Sequence, residues 1–277
     1  MKKEVWVFII FLLVFLHPLG TTVSAKTELQ PLYETVKELL PTEAEFIKPN
    51  IPDSVSSIQV YDFDQDGQQE TMVTYRLKNG LGNLHALLLK KEGDQWKKIW
   101  ENTSESFDIE YAGFEDITGD GVGEFVIAWG IGASAGKKLE IYLWEENTLK
   151  RIIEPHFFHR MELLKGEKQT SLALWERYCC DAFLVDVLTW TSKGLVSDEE
   201  LYRQYYPQVK SYYEAKIKEM DAWFYWYALA DAQLKANLIE EATESIQKGL
   251  TFIHGKEEFN ELRRRLEAKI TSQNATQ

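Results

Sequence analysis

An acidic stretch of ten residues occurs twice in this chain, as YDFDQDGQQE at 61–70 and as EDITGDGVGE at 115–124. Similar segments follow each copy: a β-type apolar run, a glycine-containing turn, a second apolar run, and a polar turn that leads to a short strand. Together with its incoming strand, each unit therefore contains four short strands. Repetition of this kind indicates a repeat architecture, and four strands per repeat are typical of a propeller blade.

A third, divergent unit is predicted at 156–196, where the aspartates of the entry loop have been lost. Its turn contains Cys179 and Cys180 at the place of Gly82 and Gly136 in the other units, so we expect all three turns at one rim of the array. Two adjacent cysteines cannot form a disulfide framework, and either free thiols or a strained vicinal disulfide fits the sequence. Three units are fewer than the roughly four to eight blades of a closed propeller, which favours an open array or a sandwich-like packing.

The chain changes to a helical pattern after Ser197, where the sequence SDEE at 197–200 is a capping-box signature. Four or five helices are predicted from there onwards, depending on whether Pro207 breaks the first helix or only kinks it. Bulky and then small residues between 226 and 249 have the spacing of two antiparallel helices in contact, which resembles a tetratricopeptide hairpin. His254 stands where that repeat usually has proline, and only one hairpin is visible where about three are needed for a stable array. These departures argue against a functional peptide groove.

The resulting prediction is an α+β fold. An N-terminal antiparallel β domain of about three propeller-like four-stranded units is predicted at 26–196, and a C-terminal helical, tetratricopeptide-like module at 197–277. The exposed sheet edges of an open array must be covered. The candidates for this cover are the helical module and a short N-terminal helix, which is predicted at 32–40 and ends at Pro41.

The first acidic loop has the composition of a site for a hard cation. Ca²⁺ takes six to eight oxygen ligands, and residues at loop positions one, three and five can point inwards if a glycine permits a sharp bend. Asp62, Asp64 and Asp66 have this spacing, Gly67 supplies the bend, and Glu70 follows as a fourth carboxylate. That last acid comes too early for the twelve-residue helix-loop-helix calcium site, and the flanks have strand patterns, so that motif is excluded.

Over about residues 55–155, the pattern resembles the integrin-type FG-GAP or VCBS repeat of exported bacterial proteins, whose short acidic loop joins two strands and typically holds Ca²⁺. The resemblance implies a structural Ca²⁺ ion in each loop. In the first loop it implies as ligands Asp62, Asp64, Asp66, Gln68 through its backbone carbonyl, and Glu70. In the second loop it implies Asp116, Thr118, Asp120, Val122 and Glu124. Because Thr118 replaces an aspartate, the second site is expected to be weaker, and the alternative for either loop is an Asp-Gly turn with solvated acids.

The N-terminus has the pattern of a secretory signal peptide over residues 1–25. Lys2 and Lys3 are followed by an apolar run at 5–16, and small residues precede the expected cleavage before Lys26. The alternative is an uncleaved membrane anchor, although the run is shorter than the roughly 20 residues that a spanning helix requires. No later stretch is apolar for long enough to cross a bilayer, so we expect a secreted or envelope-associated protein with no transmembrane segment after cleavage.

Charge and composition limit the class of function. The formal net charge of -13 becomes -14 once Lys2, Lys3 and Glu4, which together carry +1, are removed. Such an acidic surface argues against nucleic acid as a partner and favours cations or basic partners. The apolar fraction of 44% excludes a disordered chain.

No Ser-His-Asp, Cys-His or paired-carboxylate arrangement is evident, because the acids that cluster are already assigned to the two loops. We therefore expect a non-enzymatic, calcium-stiffened interaction or scaffold protein of the cell envelope or extracellular space, with another protein or a cell-wall polymer as its partner. The alternative is a secreted hydrolase or lyase that acts on polysaccharide or cell wall, with the aromatic run at 223–227 as a platform for sugar rings. The oligomeric state is left open.

Overall fold

The computed structural model describes residues 25–78 and 83–276. Residues 1–24 of the predicted signal peptide and the predicted turn at Gly82 lie outside these ranges. Two compact units, 1–42 and 43–277, divide the chain. In the first unit, the described residues form helix α1 (Ala25–Leu39) and the short segment after it. Among the described helices, none is both long enough and apolar enough to span a membrane.

Three antiparallel sheets make up the β part of the second unit. The first sheet consists of β1 (Ala44–Phe46), β2 (Ile58–Tyr61), β3 (Glu70–Leu77), β4 (Asn83–Glu92) and β5 (Gln95–Glu105). Its strand order is β1-β3-β4-β5, and β2 also pairs with β3. The second sheet consists of β6 (Asp108–Glu115), β7 (Glu124–Gly132), β8 (Gly136–Glu145), β9 (Thr148–Arg151) and β10 (His156–Phe158). Its strand order is β10-β8-β7-β6, and β9 also pairs with β8. The third has its strands in chain order, which are β11 (Arg160–Lys165), β12 (Thr170–Cys179), β13 (Ala182–Thr191) and β14 (Gly194–Ser197).

Central strands of these sheets are apolar on both faces because they lie between two layers. In β7, Phe125 belongs to the core shared with the first sheet, and its neighbour Val126 belongs to the core shared with the third sheet. In β12, Leu172 faces the second sheet and Ala173 faces the C-terminal helices. Successive side chains of a strand point to opposite faces, so consecutive apolar residues are all buried.

The three sheets therefore form an open row, in which the first packs on the second, the second on the third, and the helices on the outer face of the third. They are not closed into a propeller. The predicted α+β fold, with three β units followed by helices, is confirmed. The third unit begins later than predicted, because residues 156–158 form β10 and pair with β8 in the second sheet.

Four helices follow the last strand in the described part of the chain, namely α2 (Glu199–Glu219), α3 (Trp223–Lys235), α4 (Ile239–Leu250) and α5 (Lys256–Thr276). Pro207 lies inside α2, so it does not break this helix. The N-cap of α2 is Asp198, whose Oδ1 accepts a hydrogen bond from Leu201 N at 3.0 Å. The predicted hairpin is formed by α3 and α4, and Gly249 lies so close to the ring of Phe259 on α5 that a larger side chain would not fit.

Cys179 and Cys180 lie at the turn between β12 and β13 as free thiols, with their Sγ atoms 3.3 Å apart. Two residues earlier, Arg177 Nη1 donates a hydrogen bond to Ala133 O at 2.9 Å, in the turn that ends at Gly136. The turns of the second and third units therefore share one rim, as predicted.

Candidate metal centre

The two acidic loops occupy equivalent places in the first and second sheets. Tyr61 pairs with Glu70 where β2 and β3 meet, and Glu115 pairs with Glu124 where β6 and β7 meet. A strand pair thus closes each loop and holds its two ends together. Gly123 N donates a hydrogen bond to Tyr61 Oη at 2.5 Å, so the two loops lie side by side at one edge of the row of sheets.

In the first loop, buried groups fix the direction of the acids. Glu70 is 1% exposed, and its Oε2 accepts a hydrogen bond at 2.9 Å from the backbone N of the buried Phe63. Asp62 Oδ2 accepts one at 3.0 Å from the N of Gly67, whose φ of +86° is a conformation that glycine adopts without strain. As a result, carboxylate oxygens of Asp62, Asp64 and Glu70 lie within 4.8 Å of one another.

A lysine from the neighbouring strand extends its ammonium group into these acids. Lys90 Nζ, on β4, contacts Asp64 and lies 3.2 Å from Glu70 Oε1 and 3.6 Å from Asp66 Oδ2. Burial alone would lower the pKa of Lys90, but hydrogen bonds and charge attraction from Asp64 and Glu70 outweigh it and raise the pKa. The ammonium group therefore stays charged, and one positive charge occupies the place on which the acids converge.

Lys90 could not be assigned to the loop from sequence alone. Thr71 on β3 pairs with Leu89 on β4, and the next residues outwards on these strands are Glu70 and Lys90. The sequence places Lys90 at the end of an apolar strand, which indicates an exit to solvent. Only the register between β3 and β4 decides which acid it meets.

One carboxylate oxygen of the first loop has no partner. Asp62 Oδ1 is buried and accepts no hydrogen bond from any residue that the structure describes. An unsatisfied buried acceptor costs about 1–3 kcal/mol, and more when it is charged. A divalent cation would satisfy this oxygen together with the other acids of the loop, so the residues present fit a hard cation.

In the second loop, a threonine hydroxyl group contacts the last glutamate, whereas in the first loop the ammonium group of Lys90 does so. Glu124 is 1% exposed, and its Oε2 accepts hydrogen bonds from Ile117 N at 2.7 Å and Thr118 N at 3.0 Å. Its Oε1 accepts a third from Thr118 Oγ1 at 2.9 Å. Burial raises the pKa of Glu124, and the hydrogen bonds from Thr118 and Ile117 act in the opposite direction without cancelling this effect.

The remaining acids of the second loop bond to their own backbone. Asp116 accepts from Gly119 N at 2.7 Å through Oδ1 and from Gly121 N at 3.1 Å through Oδ2. Asp120 is exposed, and its Oδ1 accepts from Val122 N at 2.8 Å. Over residues 25–78 and 83–276, a group of three potential metal-ligating acids forms only in the first loop.

Gln68 and Val122 take part in the loops through their backbone N–H groups. Gln68 N donates to Asp66 Oδ1 at 2.7 Å, just as Val122 N donates to the equivalent Asp120. Of the ten predicted ligands, the structure brings Asp62, Asp64 and Glu70 together, with Asp66 beside them only through Lys90, whereas the side chains of the second loop close on the loop itself.

The aromatic run at 223–227 lies on α3 and packs into the interior. Tyr225 is buried, and the other four aromatic residues are partly buried against the core clusters of the helical part. A platform for sugar rings requires exposed aromatic faces, so the packing of this run argues against that role.

No protein-family model matches this chain, and no curated protein is significantly similar to it in sequence.

Proposed function

We propose that the first acidic loop binds one Ca²⁺ ion as a structural element and that the protein is an exported, non-enzymatic interaction protein. The observation that carries this proposal is that Asp62, Asp64 and Glu70 converge within 4.8 Å of one another. Asp62 has a buried and unpartnered oxygen, and the ammonium group of Lys90 contacts the other two acids and Asp66. Ammonium groups and hard cations are both attracted to carboxylate oxygens, so the lysine marks the place at which a cation would bind.

The ligands would be Asp62, Asp64, Asp66, Glu70 and, through its backbone carbonyl, Gln68. Bound Ca²⁺ supplies two positive charges at a place where the ammonium group supplies one. Asp62 follows β2 and Glu70 begins β3, so shared ligation would clamp this strand pair. Lys90 has to withdraw from the acids. Its Nζ already lies 5.4 Å from the ring centroid of Trp144, and this cation-π contact can be kept when the contacts with the acids are lost.

Competition from Lys90 makes weak binding the expected result, since the ammonium group is tethered next to the loop by β4, which pairs with β3. Extracellular calcium modules have dissociation constants of about 0.1–1 mM, and we expect the first loop to fall in this range. Such an affinity suits a calcium-rich exterior, in line with the predicted signal peptide.

The edge that carries both loops is a candidate for the interaction surface. The second loop also contacts the third unit there, where Thr170 N donates a hydrogen bond to Asp116 O at 2.6 Å. Clamping the first loop would therefore stiffen a continuous edge of the open row. With a formal net charge of -13, the chain favours a basic protein or cationic groups of a cell-wall polymer as its partner.

Calorimetric titration with CaCl₂ tests whether the first loop binds an ion, and thermal unfolding with and without CaCl₂ measures the effect of the ion on Tm. The double variant Asp64→Ala/Asp66→Ala should lose the calcium-dependent rise in Tm, because half of the loop carboxylates are removed. The variant Asp120→Ala, in the second loop, should keep the rise of the wild type. An unchanged calcium effect in the double variant would show that the first loop is only a turn.

The interaction role is tested by pull-down from cell envelopes with and without chelator, in which calcium-dependent retention of a defined partner is expected. Incubation with cell-wall fragments separates this role from the alternative of a hydrolase or lyase. Saturable binding without new products agrees with the proposal, and turnover of the fragments contradicts it.

A further inference from the structure

A cleft of about 520 Å³ lies at the end of the β6-β7 hairpin that is opposite to the second acidic loop. It is lined by Phe107 and Asp108 at the start of β6, by Gly130 and Gly132 at the end of β7, and by side chains of the third sheet. Small-molecule sites in proteins typically have volumes of about 300–1,000 Å³, so the cleft has the size of a binding site. At about 3.3 Å per residue, β7 separates it from the acidic loop by roughly 20 Å.

The charge of the cleft is opposite to that of the chain as a whole. Its lining contains three cationic side chains, Lys137, Arg160 and Arg177, and one acid, Asp108, whereas the chain has a formal net charge of -13. Lys137 is already engaged, since its Nζ lies 3.0 Å from Glu110 Oε1 and donates to a backbone carbonyl. Arg160 also contacts an acid, Glu162, whereas Arg177 forms no ion pair within the described residues. A guanidinium group has more donors than an ammonium group, so the two arginines are the groups through which the cleft can attract an anion.

Both arginines are held in place by aromatic rings and keep donors that are not used within the described residues. The Arg160 guanidinium carbon lies 4.9 Å from the ring centroid of Trp175, and that of Arg177 lies 5.9 Å from the ring centroid of Phe183. Arg160 donates through Nη2 to Glu162, and Arg177 through Nη1 to a backbone carbonyl. A guanidinium group has five N–H donors, so each arginine retains donors for an oxyanion, and stacking reduces the entropy lost when it binds one.

His159 lines the same cleft but adds no charge. The backbone N of Arg177 donates to His159 Nδ1 at 3.1 Å, so Nδ1 is unprotonated and Nε2 is the donor to Ser134 O at 3.2 Å. This arrangement fixes the neutral imidazole. Binding of an anion would thus depend on the arginines and not on the protonation of the histidine.

An exposed aromatic ring stands beside these cations. Phe107 is 68% exposed, and its backbone N donates to Gly130 O at 2.8 Å, which ties it to the end of β7. Such a ring can cover the apolar face of a bound molecule, in the combination of apolar surface and few convergent polar groups that is typical of ligand sites.

We propose that this cleft binds a small organic carboxylate, with the carboxylate on Arg160 and Arg177 and a ring-sized apolar face on Phe107. Uronic acid sugars and aromatic acids share this chemistry. The inference does not depend on the calcium site, which lies at the other end of the sheets.

Ligand-observed NMR titration of the full chain with four probes tests the proposal and separates the two sources. The acids are glucuronate and benzoate, and the neutral probes of similar size are glucose and benzamide. At least one acid should bind, about ten-fold or more tightly than its neutral counterpart, because hydrogen bonds between charged groups are stronger than those to neutral groups. Equal affinities within both pairs, or no binding of either acid, would overturn the proposal.

Three variants then locate the bound acid. Arg177→Gln and Arg160→Gln should each weaken binding of the acid about ten-fold. Arg177 also donates a hydrogen bond to Ala133 O, so Arg160→Gln provides the test if loss of that bond alters the fold of Arg177→Gln. Asp108→Asn should tighten binding, since it removes the acid that lines the cleft. Lys193→Gln, a loss of the same charge at an exposed turn outside the cleft, should have no effect, and chelator should not change the affinity of the wild type. An equal loss in Lys193→Gln and Arg177→Gln would show attraction by net charge only and would contradict the proposed site.

Discussion

The loops at 62–70 and 116–124 share one hydrogen-bonding frame. In both, the last glutamate is buried and accepts a hydrogen bond from the backbone of a buried apolar residue, Phe63 in the first and Ile117 in the second. In both, the first aspartate accepts from the N of a glycine five residues later, at 3.0 Å and 3.1 Å. The frame therefore depends on acids that accept hydrogen bonds from backbone N–H groups of their own loop.

The difference lies in how the two loops balance their charge. The first has four acids and Lys90, which gives -4 plus 1, or -3, and the second has three acids and no lysine, which also gives -3. Thr118 stands at the place of Asp64, and Leu143 stands at the place of Lys90 one residue outwards from the pair Phe125-Tyr142. The ion pair of Asp64 and Lys90 in the first loop is thus replaced in the second loop by the hydrogen bond from the Thr118 hydroxyl group to Glu124.

A second difference concerns the first aspartate of each loop. Asp116 Oδ1 accepts a hydrogen bond from Gly119 N at 2.7 Å, but the equivalent oxygen of Asp62 is buried without a partner. The first loop consequently has both an unsatisfied oxygen and a displaceable cation, whereas the second is satisfied by its own atoms. The comparison teaches that a repeated acidic motif can keep its fold while, within the described residues, only one copy brings three carboxylates within 4.8 Å of one another.

Removal of the ammonium group of Lys90 should have the largest effect on the free energy of unfolding. In Lys90→Met, the acids of the first loop face one another without a counter-charge, so the free energy of unfolding in chelator should fall by about 3 kcal/mol. Calcium affinity should rise by about ten-fold, because the competing ammonium group is gone. Chemical unfolding and calorimetry measure the two effects. Lys91→Met is the matched control, since the next residue of a strand points to the opposite face, and an equal loss in this control would remove Lys90 from the site.

Conversion of the second loop into the first should have an intermediate effect. Thr118→Asp removes the hydroxyl donor to Glu124 and adds a like charge, so we expect a loss of about 2 kcal/mol in chelator. The added variant Leu143→Lys should restore most of this loss and produce a second calcium site. Calorimetry counts the ions bound per chain. If the double variant is as unstable as Thr118→Asp alone and binds no additional ion, the exchange of charges does not explain the difference between the loops.

Substitution of Gln65, the residue before Asp66 in the first loop, should have the smallest effect. Gln65 has a φ of 58°, where the second loop has Gly119 with a φ of 81°. Gln65→Gly should stabilise the ion-free protein by about 1 kcal/mol, since a non-glycine residue is strained in this conformation. Urea unfolding in chelator measures the change. Gln69→Gly provides the control and should destabilise, because glycine there only adds freedom to the unfolded chain; stabilisation of similar size in both variants would argue against strain at Gln65.

Local sequence chemistry by itself determined the repeat, the loop positions and the change from strands to helices. These features depend on residues that are near one another in the chain: aspartates at alternate positions before a glycine, apolar runs of strand length, and an N-terminal cap before α2. For the same reason, the cluster of Asp62, Asp64 and Glu70 could be predicted from the motif at 61–70. Ser197 and Asp198 are both good caps, and Asp198 is the one that caps α2 because Ser197 ends β14.

Only the tertiary structure decided which of these features act together. The register of β3 and β4 brings Lys90 to the acids, the pairing of β10 with β8 moves residues 156–158 into the second sheet, and packing on the third sheet keeps α2 continuous through Pro207. The cleft with its two arginines likewise combines residues from two sheets. Such contacts join segments far apart in sequence, and their geometry is set by strand register and by the burial of shared apolar faces, which short-range patterns do not specify.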